Sequence, residues 1–480
     1  MTDAVSGRTG AGGAGAGEAT GGDATAGEAA SEAAAATGGA TASDRPAVGG
    51  APASDRPAAG RRLRVVIAPD SFKGSLTSVE VAAAISAGWL AARPGDETIP
   101  APLADGGAGT IDAFIAAGGW EVRGAVARDP LGRPVDARWL VADDGRRAFV
   151  EMAEANGLAR TSADDRARGA ARRATTFGTG DLIIAALDAG IRDVVLGLGG
   201  SATTDGGAGM LQALGARVVD AHGDQVAAGG TGLADVRLVA LDELDPRLAE
   251  LNLRVACDVT NPLLGPAGAA ATYGPQKGAT PSDVAELDAA LGRWADILER
   301  DEVRGTAGRA AAGRAAAGRA AAGRAAAARA PLPRDVPGAG AAGGTTFALI
   351  AIAGRLASFS LVPGVAVVIA EVGLPARVAG ADLVITGEGR IDAQTAFGKT
   401  ALGVARLARD AGVPCLALGG GVTPEGVAAL AAVDALAIPV VEGPTTVEEA
   451  MAAGPGPVAR AAERVARLVT LGALLAVRPA

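Results

Sequence analysis

Asp258 closes an apolar run, Arg254 to Cys257, and is followed by Val259-Thr260-Asn261-Pro262. A carboxylate at a strand C-terminus, with Asn-Pro blocking helical continuation, is held by backbone geometry and suits a general base. The same residues also spell an Asx turn before proline, which needs no chemistry. A second candidate is Asp70-Ser71-Phe72-Lys73-Gly74-Ser75, a polar loop that follows the expected strand Arg64 to Ala68. A third runs from Gly197 to Gly209. There Gly197, Gly199 and Gly200 permit a tight turn with free amides, and Ser201, Thr203 and Thr204 flank Ala202 with hydroxyls. Asp205 then precedes Gly206 and Gly207. Such a loop suits phosphate and a metal. A fourth is Gly387-Glu388-Gly389-Arg390-Ile391-Asp392.

Lysine usage points the same way. Of 44 basic residues only Lys73, Lys277 and Lys399 are lysine, and each lies beside a glycine. A compact ammonium fits where a planar guanidinium does not. Two familiar motifs fail on inspection. Gly197-Leu198-Gly199-Gly200-Ser201-Ala202 has dinucleotide-loop spacing, but the glycines at 206, 207 and 209 leave only about Ala208 to Leu214 for the helix, too short for a crossover. Gly398-Lys399-Thr400 ends like a P-loop, yet Ala393 stands where its first glycine belongs.

The elements that must position these residues follow a strand–loop–helix grammar. Arg64 to Ala68 leads to a helix capped by Ser78. Glu97 to Ala101 leads through Asp105-Gly106-Gly107, an echo of Asp205-Gly206-Gly207, to a helix ending near Ala117. Trp120 to Met152 alternates with turns and reads as an antiparallel meander. A helix over Thr175 to Asp188 precedes the strand Val194 to Leu196, and another runs from Ser282 to about Glu299. Strand and helix grammar then resumes after Gly344, with strands at Ala381 to Thr386, Cys415 to Leu418 and Ala435 to Val441. The expected fold is α/β and two-lobed. Residues 62–120 and 345–480 would form a discontinuous Rossmann/flavodoxin-like parallel-sheet lobe, and 121–344 an inserted second α/β lobe, with a ligand cleft between them.

Composition bounds the rest. Residues 1–61 form an Ala/Gly-rich tail that repeats ASDRPA, without the pattern of a secretory signal. Residues 305–330 repeat Ala and Arg at a five-residue step that leaves no apolar helix face, so they read as a solvated insertion. A net charge of −9 argues against nucleic acid as partner. No stretch of about 18 bulky apolar residues is present to enter a membrane. Two cysteines at unrelated positions, Cys257 and Cys415, fit a reducing cytoplasm. The single histidine, His222, sits in a turn.

Together, IAPDSFKGSLTSVEVAAAI at 67–85, PLADGG at 102–107, GLGGSATTDGGAGMLQALGA at 197–216, ACDVTNPLLGP at 256–266, YGPQKGAT at 273–280 and GEGRIDAQT with FGKT at 387–400 resemble the bacterial glycerate kinase family. The resemblance implies ATP-dependent phosphorylation of D-glycerate, mostly to 2-phosphoglycerate, by two α/β domains with one inserted in the other. Asp258 would take the hydroxyl proton. Lys73 and Ser71 would meet the transferred phosphoryl group or the substrate carboxylate, and the loop Ser201 to Gly207 would surround phosphates. Lys277 and Lys399 would add cations. Asp70, Asp205, Glu388 and Asp392 are the carboxylates that could hold Mg²⁺. Two positions depart from the family pattern: Ala108 stands where glutamate is usual, and Thr204 where asparagine is frequent. The lost carboxylate leaves a weakened, ligand-sensing protein of the same fold as the alternative reading.

Overall fold

The computed structural model describes residues 61–316, 332–393 and 400–477. The N-terminal tail, the arginine repeat beyond residue 316, and Lys399 lie outside the described residues. The first strand, β1 (Arg64–Pro69), is buried over its last five residues, as suits a Val-Val-Ile run with neighbours on both sides. It pairs in parallel with β2 (Glu97–Pro100). Between them lies α1 (Ser78–Ala92), which starts one residue after its cap: Thr77 is extended, its side chain accepts from the Glu80 N–H, and the Glu80 carboxylate accepts from the Thr77 N–H. This reciprocal pair displaces the cap from the expected Ser78. The same exchange between Thr280 and Asp283 opens the helix Pro281–Ala316, ahead of the expected Ser282. After β2 comes α2 (Thr110–Ala117).

The chain then leaves for a second sheet. Its strands are β3 (Trp120–Arg128), β4 (Pro134–Ala142), β5 (Arg147–Glu151) and β6 (Asp193–Gly197). A small hairpin, β7 (Arg217–Val219) with β8 (Leu238–Ala240), stands apart, and β9 (Asn252–Ala256) returns to the sheet. Its last strand is β10 (Ser358–Val362), which pairs in parallel with β9. The expected return to the first lobe at 345 is therefore early: β10 still belongs with β9, and the first sheet resumes at β11 (Leu383–Ile391). It continues in β12 (Cys415–Val422) and β13 (Ala435–Pro439).

The first sheet has the order β13-β12-β11-β1-β2, and its pairs are parallel. Counted along its own five strands, this is the flavodoxin-like order 2-1-3-4-5, with a switch point between β1 and β11. The second sheet runs β10-β9-β6-β5-β4-β3, antiparallel at the β3 end and parallel from β5 onward. One apolar cluster joins Val66 and Ala68 of β1 to Leu140, Phe149 and Val195 of the second sheet. Phe114 of α2 sits inside it, 5.1 Å from Trp120 and 4.7 Å from Phe149 between ring centres. Each buried aromatic side chain removes about 150–250 Å² from water, so this layer fixes the loops at the strand ends relative to one another.

Candidate active site

The switch point is where ligands bind in open parallel sheets, and the loops after β1 and β11 stand there. Asp70, just past β1, is buried and anchored through its N–H to the Gly387 carbonyl at 2.8 Å. Its Oδ1 accepts from the Ser71 N–H at 2.6 Å, and its Oδ2 from the Thr400 hydroxyl at 2.6 Å. Burial raises its pKa, and the charge of Asp105 adds to this. Phe72 turns inward and exchanges backbone hydrogen bonds with Leu76, which leaves Ser71 half-buried and Lys73 exposed. Gly389 lies beneath this loop, where an added Cβ would stand 3.2 Å from the Phe72 Cα.

Lys73 Nζ donates to Asp105 Oδ2 at 3.0 Å, and that carboxylate raises its pKa, with smaller contributions from Asp70 and Glu388. Glu388 was expected in a loop but lies on β11, because β11 and β12 stay paired through Glu388–Gly419 and Arg390–Gly421. The glycines permit this close approach: a Cβ on Gly420 would stand 2.5 Å from the Gly389 carbonyl oxygen. Asp392, just beyond β11, lies 3.1 Å from the Arg390 guanidinium.

Asp258 reaches the same place from the second sheet. Cys257 extends β9 by donating to the Val362 carbonyl at 2.9 Å, and Asp258 Oδ1 accepts from the Gly364 N–H at 2.8 Å, at the start of the helix Gly364–Glu371. Partial burial raises the Asp258 pKa; Asp105 and Asp70 raise it further, and Lys73 opposes them. Gly364 is the hinge of this arrangement. A Cβ there would lie 2.0 Å from the Asp105 carbonyl oxygen and 2.8 Å from Asp258 Oδ2. Gly364→Ala is therefore expected to cost about 1–3 kcal/mol of stability through overpacking. It should also lower turnover at least tenfold by separating Asp258 from Asp105, which thermal melting and steady-state kinetics on one preparation will show.

The loop Gly197–Gly209 divides in two. Its first turn packs on the Asp105 loop: a Cβ on Gly197 would stand 2.4 Å from the Gly106 carbonyl oxygen, and one on Gly199 2.3 Å from the Gly107 Cα. Gly200 is exposed. The rest of the loop is interior, and several of its backbone donors are already engaged within the protein. The N–H groups of Ala202, Gly206 and Gly207 go to Asn156 O, Gly343 O and Asp205 Oδ1. Lys277 is buried, and its Nζ donates to Ser201 Oγ at 3.1 Å and the Thr203 carbonyl at 2.5 Å. Burial pushes this ammonium down to about 7, opposed by Asp205. The Thr203 hydroxyl is buried without a partner.

Asp205, the carboxylate expected to hold a metal, has both oxygens engaged by donors of the protein. It is buried; Oδ2 accepts from the Thr176 N–H, the Thr176 hydroxyl and the Gly209 N–H, and Oδ1 from the Gly207 N–H. A buried carboxylate gathers donors to offset its lost hydration, and here those donors shape the loop. Thr176 is thereby drawn into the loop, and the helix begins at Phe177 rather than Thr175. Among the described residues no group of three or more His, Cys, Asp or Glu side chains forms a cation cage. Asp105 and Gly364 were missing from the expected site. The first was legible as the echoed Asp-Gly-Gly, whereas the second leaves no signal beyond a glycine after a proline.

A switch point carrying a lysine and four carboxylates, Asp70, Asp105, Asp258 and Glu388, with glycine turns from a second sheet packed against it, defines an α/β enzyme. The sequence profile of the glycerate kinase family matches residues 65–333 and 325–470. Glycerate 2-kinase of Escherichia coli K12 is 39% identical over 411 residues, covering 85% of this chain and 99% of that protein. Glycerate kinase of Bacillus subtilis 168 is 41% identical over 361 residues, 75% of this chain and 86% of that protein. A crystal structure from Salmonella typhimurium LT2, of a protein described as a glycerate kinase 2, superposes with a TM-score of 0.68 at 40% identity, covering 86% of this chain and 99% of that one. The chain belongs to the glycerate kinase family, a family of kinases.

Proposed function

We propose that the protein transfers the γ-phosphoryl group of ATP to a hydroxyl of D-glycerate, giving ADP and phosphoglycerate, with the 2-phosphate as product. The observation that carries this reading is the meeting of Asp258, from the second sheet, with Lys73 and Asp105, from the first. Phosphoryl transfer asks for positioning, charge neutralisation and a proton acceptor. Asp258 takes the hydroxyl proton, its basicity raised above that of an ordinary carboxylate. Lys73, held by Asp105, neutralises the transferred group or the substrate carboxylate, beside Ser71. The cleft between the two sheets holds both substrates, with 62–120 and the chain from β11 onward as one lobe.

Mg²⁺ commonly binds through one or two carboxylates plus substrate phosphates, and the switch point offers hard oxygen donors of that kind. Glu388, with Asp392 at the end of the same strand, would hold it, and the ion would neutralise phosphate charge. Lys399 remains a candidate cation outside the described residues. Two free cysteines, and the lack of any helix long and apolar enough to cross a membrane among the described residues, support a cytoplasmic enzyme. The test is ADP release with D-glycerate and Mg-ATP, the product position being read by phosphorus NMR. Turnover that stops on chelation of the metal is expected. ATP binding without ADP release would instead favour the ligand-sensing reading that Ala108 raises.

A further inference from the structure

Glu151 ends β5 and is 2% exposed, and among the described residues no cation pairs with it. Both its oxygens serve one element: Oε1 accepts from the Gly109 N–H at 3.1 Å and Oε2 from the Ile111 N–H at 2.9 Å, across the start of α2. From there a continuous path leads to the site. Thr110 donates its hydroxyl to the Gly107 carbonyl at 2.6 Å, the Gly107 N–H donates to Asp105 Oδ1 at 3.1 Å, and Asp105 Oδ2 receives Lys73. We propose that Glu151 is a positioning residue for phosphoryl transfer: its carboxylate locks the loop 105–110 and, through it, sets Asp105 against Lys73. This rests on the kinase reading of the site.

A carboxylate presents one acceptor oxygen to each of the two N–H groups, whereas the glutamine amide has one acceptor oxygen and turns an NH₂ donor toward the second. Protonation turns one of the carboxylate oxygens into a donor and releases an amide. A cavity of about 390 Å³ lined by Ala108, Gly109, Glu151, Glu154, Arg160 and Gly200 gives the proton a route. The charges facing Glu151 are Glu154 and Asp112, both bound by Arg138 at 2.6 and 2.8 Å, with Arg160 3.8 Å from Glu154. Burial pushes the Glu151 carboxyl from 4.5 up to about 7. The folded protein therefore holds this proton more tightly than the unfolded chain. The Glu151 contribution to stability falls as pH rises from 4.5 to about 7, while its contribution to turnover rises over the upper part of that range. The opposite signs separate a positioning role from a merely structural one.

The test measures kcat and KM from pH 5.5 to 8.5 for the wild type and Glu151→Gln, with mass-spectrometric amide exchange of the segment 105–112 followed over the same range and corrected for intrinsic rates. At pH 8 the variant should lose about 10- to 100-fold in kcat, the size of one charge-assisted hydrogen bond, with KM for ATP within about twofold. Its kcat profile should lose the part of the acid limb near pH 7 that Glu151 adds to that of Asp258. Wild-type protection of Gly109 and Ile111 should fall below pH 7, and this reading needs no variant to fold. Amide protection of the segment indifferent to pH, or a Glu151→Gln kcat profile that superposes on that of the wild type, would overturn the proposal; an acid limb from Asp258 remains in both proteins. A wild type without turnover would sink the kinase reading instead, and exchange would still decide whether Glu151 locks the loop.

Discussion

Asp258→Asn is expected to lower kcat by about 10²- to 10⁴-fold, the span of a lost general base, without unfolding the protein. The amide keeps an oxygen for the Gly364 N–H, so the 2.8 Å hydrogen bond at the start of the helix Gly364–Glu371 survives and only basicity is removed. Three influences hold the wild-type carboxyl above its ordinary pKa: partial burial first, then the charges of Asp105 and Asp70. Only the ionised form accepts a proton, so kcat/KM of the wild type should fall as pH drops through that raised value. Steady-state rates with D-glycerate and Mg-ATP at several pH values, alongside thermal melts, provide the check. A variant within about threefold of wild type would show that the proton leaves by another route, and Asp105 would be the next carboxylate to replace.

Much of the fold was written locally. The β-branched run at 65–67 and the short apolar strand before Gly197 each carry their own signal, and the structure keeps both as strands, whereas the cap expected at Ser78 falls one residue earlier, on the Thr-x-x-Glu box at 77–80. The strand-end rule nominated Asp70, Lys73 and Asp258 one loop at a time, and their convergence was not legible before the strands were paired. Sheet order was not legible. β1 pairs with β11 through Val65 and Leu383, more than three hundred residues apart, and nothing in either strand names its partner. Nor does β10 announce that it follows β9, which is why the second sheet extends past residue 344.

The harder site assignments turn on one ambiguity. A carboxylate among glycines looks the same whether it faces a cation or gathers backbone amides, and Asp205 does the latter because Thr176, 29 residues earlier, supplies two of its donors. Lys277 likewise reads as a phosphate ligand until its burial is known. Glu151 was invisible because its partners, Gly109 and Ile111, lie 42 and 40 residues upstream across a sheet boundary. Residue type gives the chemistry available; side-chain direction and solvent access decide which of it is used.

Lys73→Met should cost about 10²- to 10³-fold in turnover, the usual loss when one preorganised electrostatic partner is removed. Lys73→Arg should restore little, because a planar fork does not replace a compact ammonium at a contact made through one nitrogen. The parameter that moves shows which group Lys73 neutralises. A fall in kcat with KM unchanged places it on the transferred phosphoryl group, since only the transition state loses the interaction; a raised KM for glycerate places it on the substrate carboxylate. A second signature comes from Asp258. The Gly364 N–H and Lys73 both oppose the rise in that carboxyl's pKa, so removing Lys73 takes away one of the two and moves the acid limb of the variant's kcat/KM to higher pH. The shift requires Lys73 and Asp258 to act in one electrostatic environment. A Lys73→Met enzyme that lost rate while its limb stayed in place would separate the two residues, and with them the single site in which the loops of the two sheets are here taken to meet.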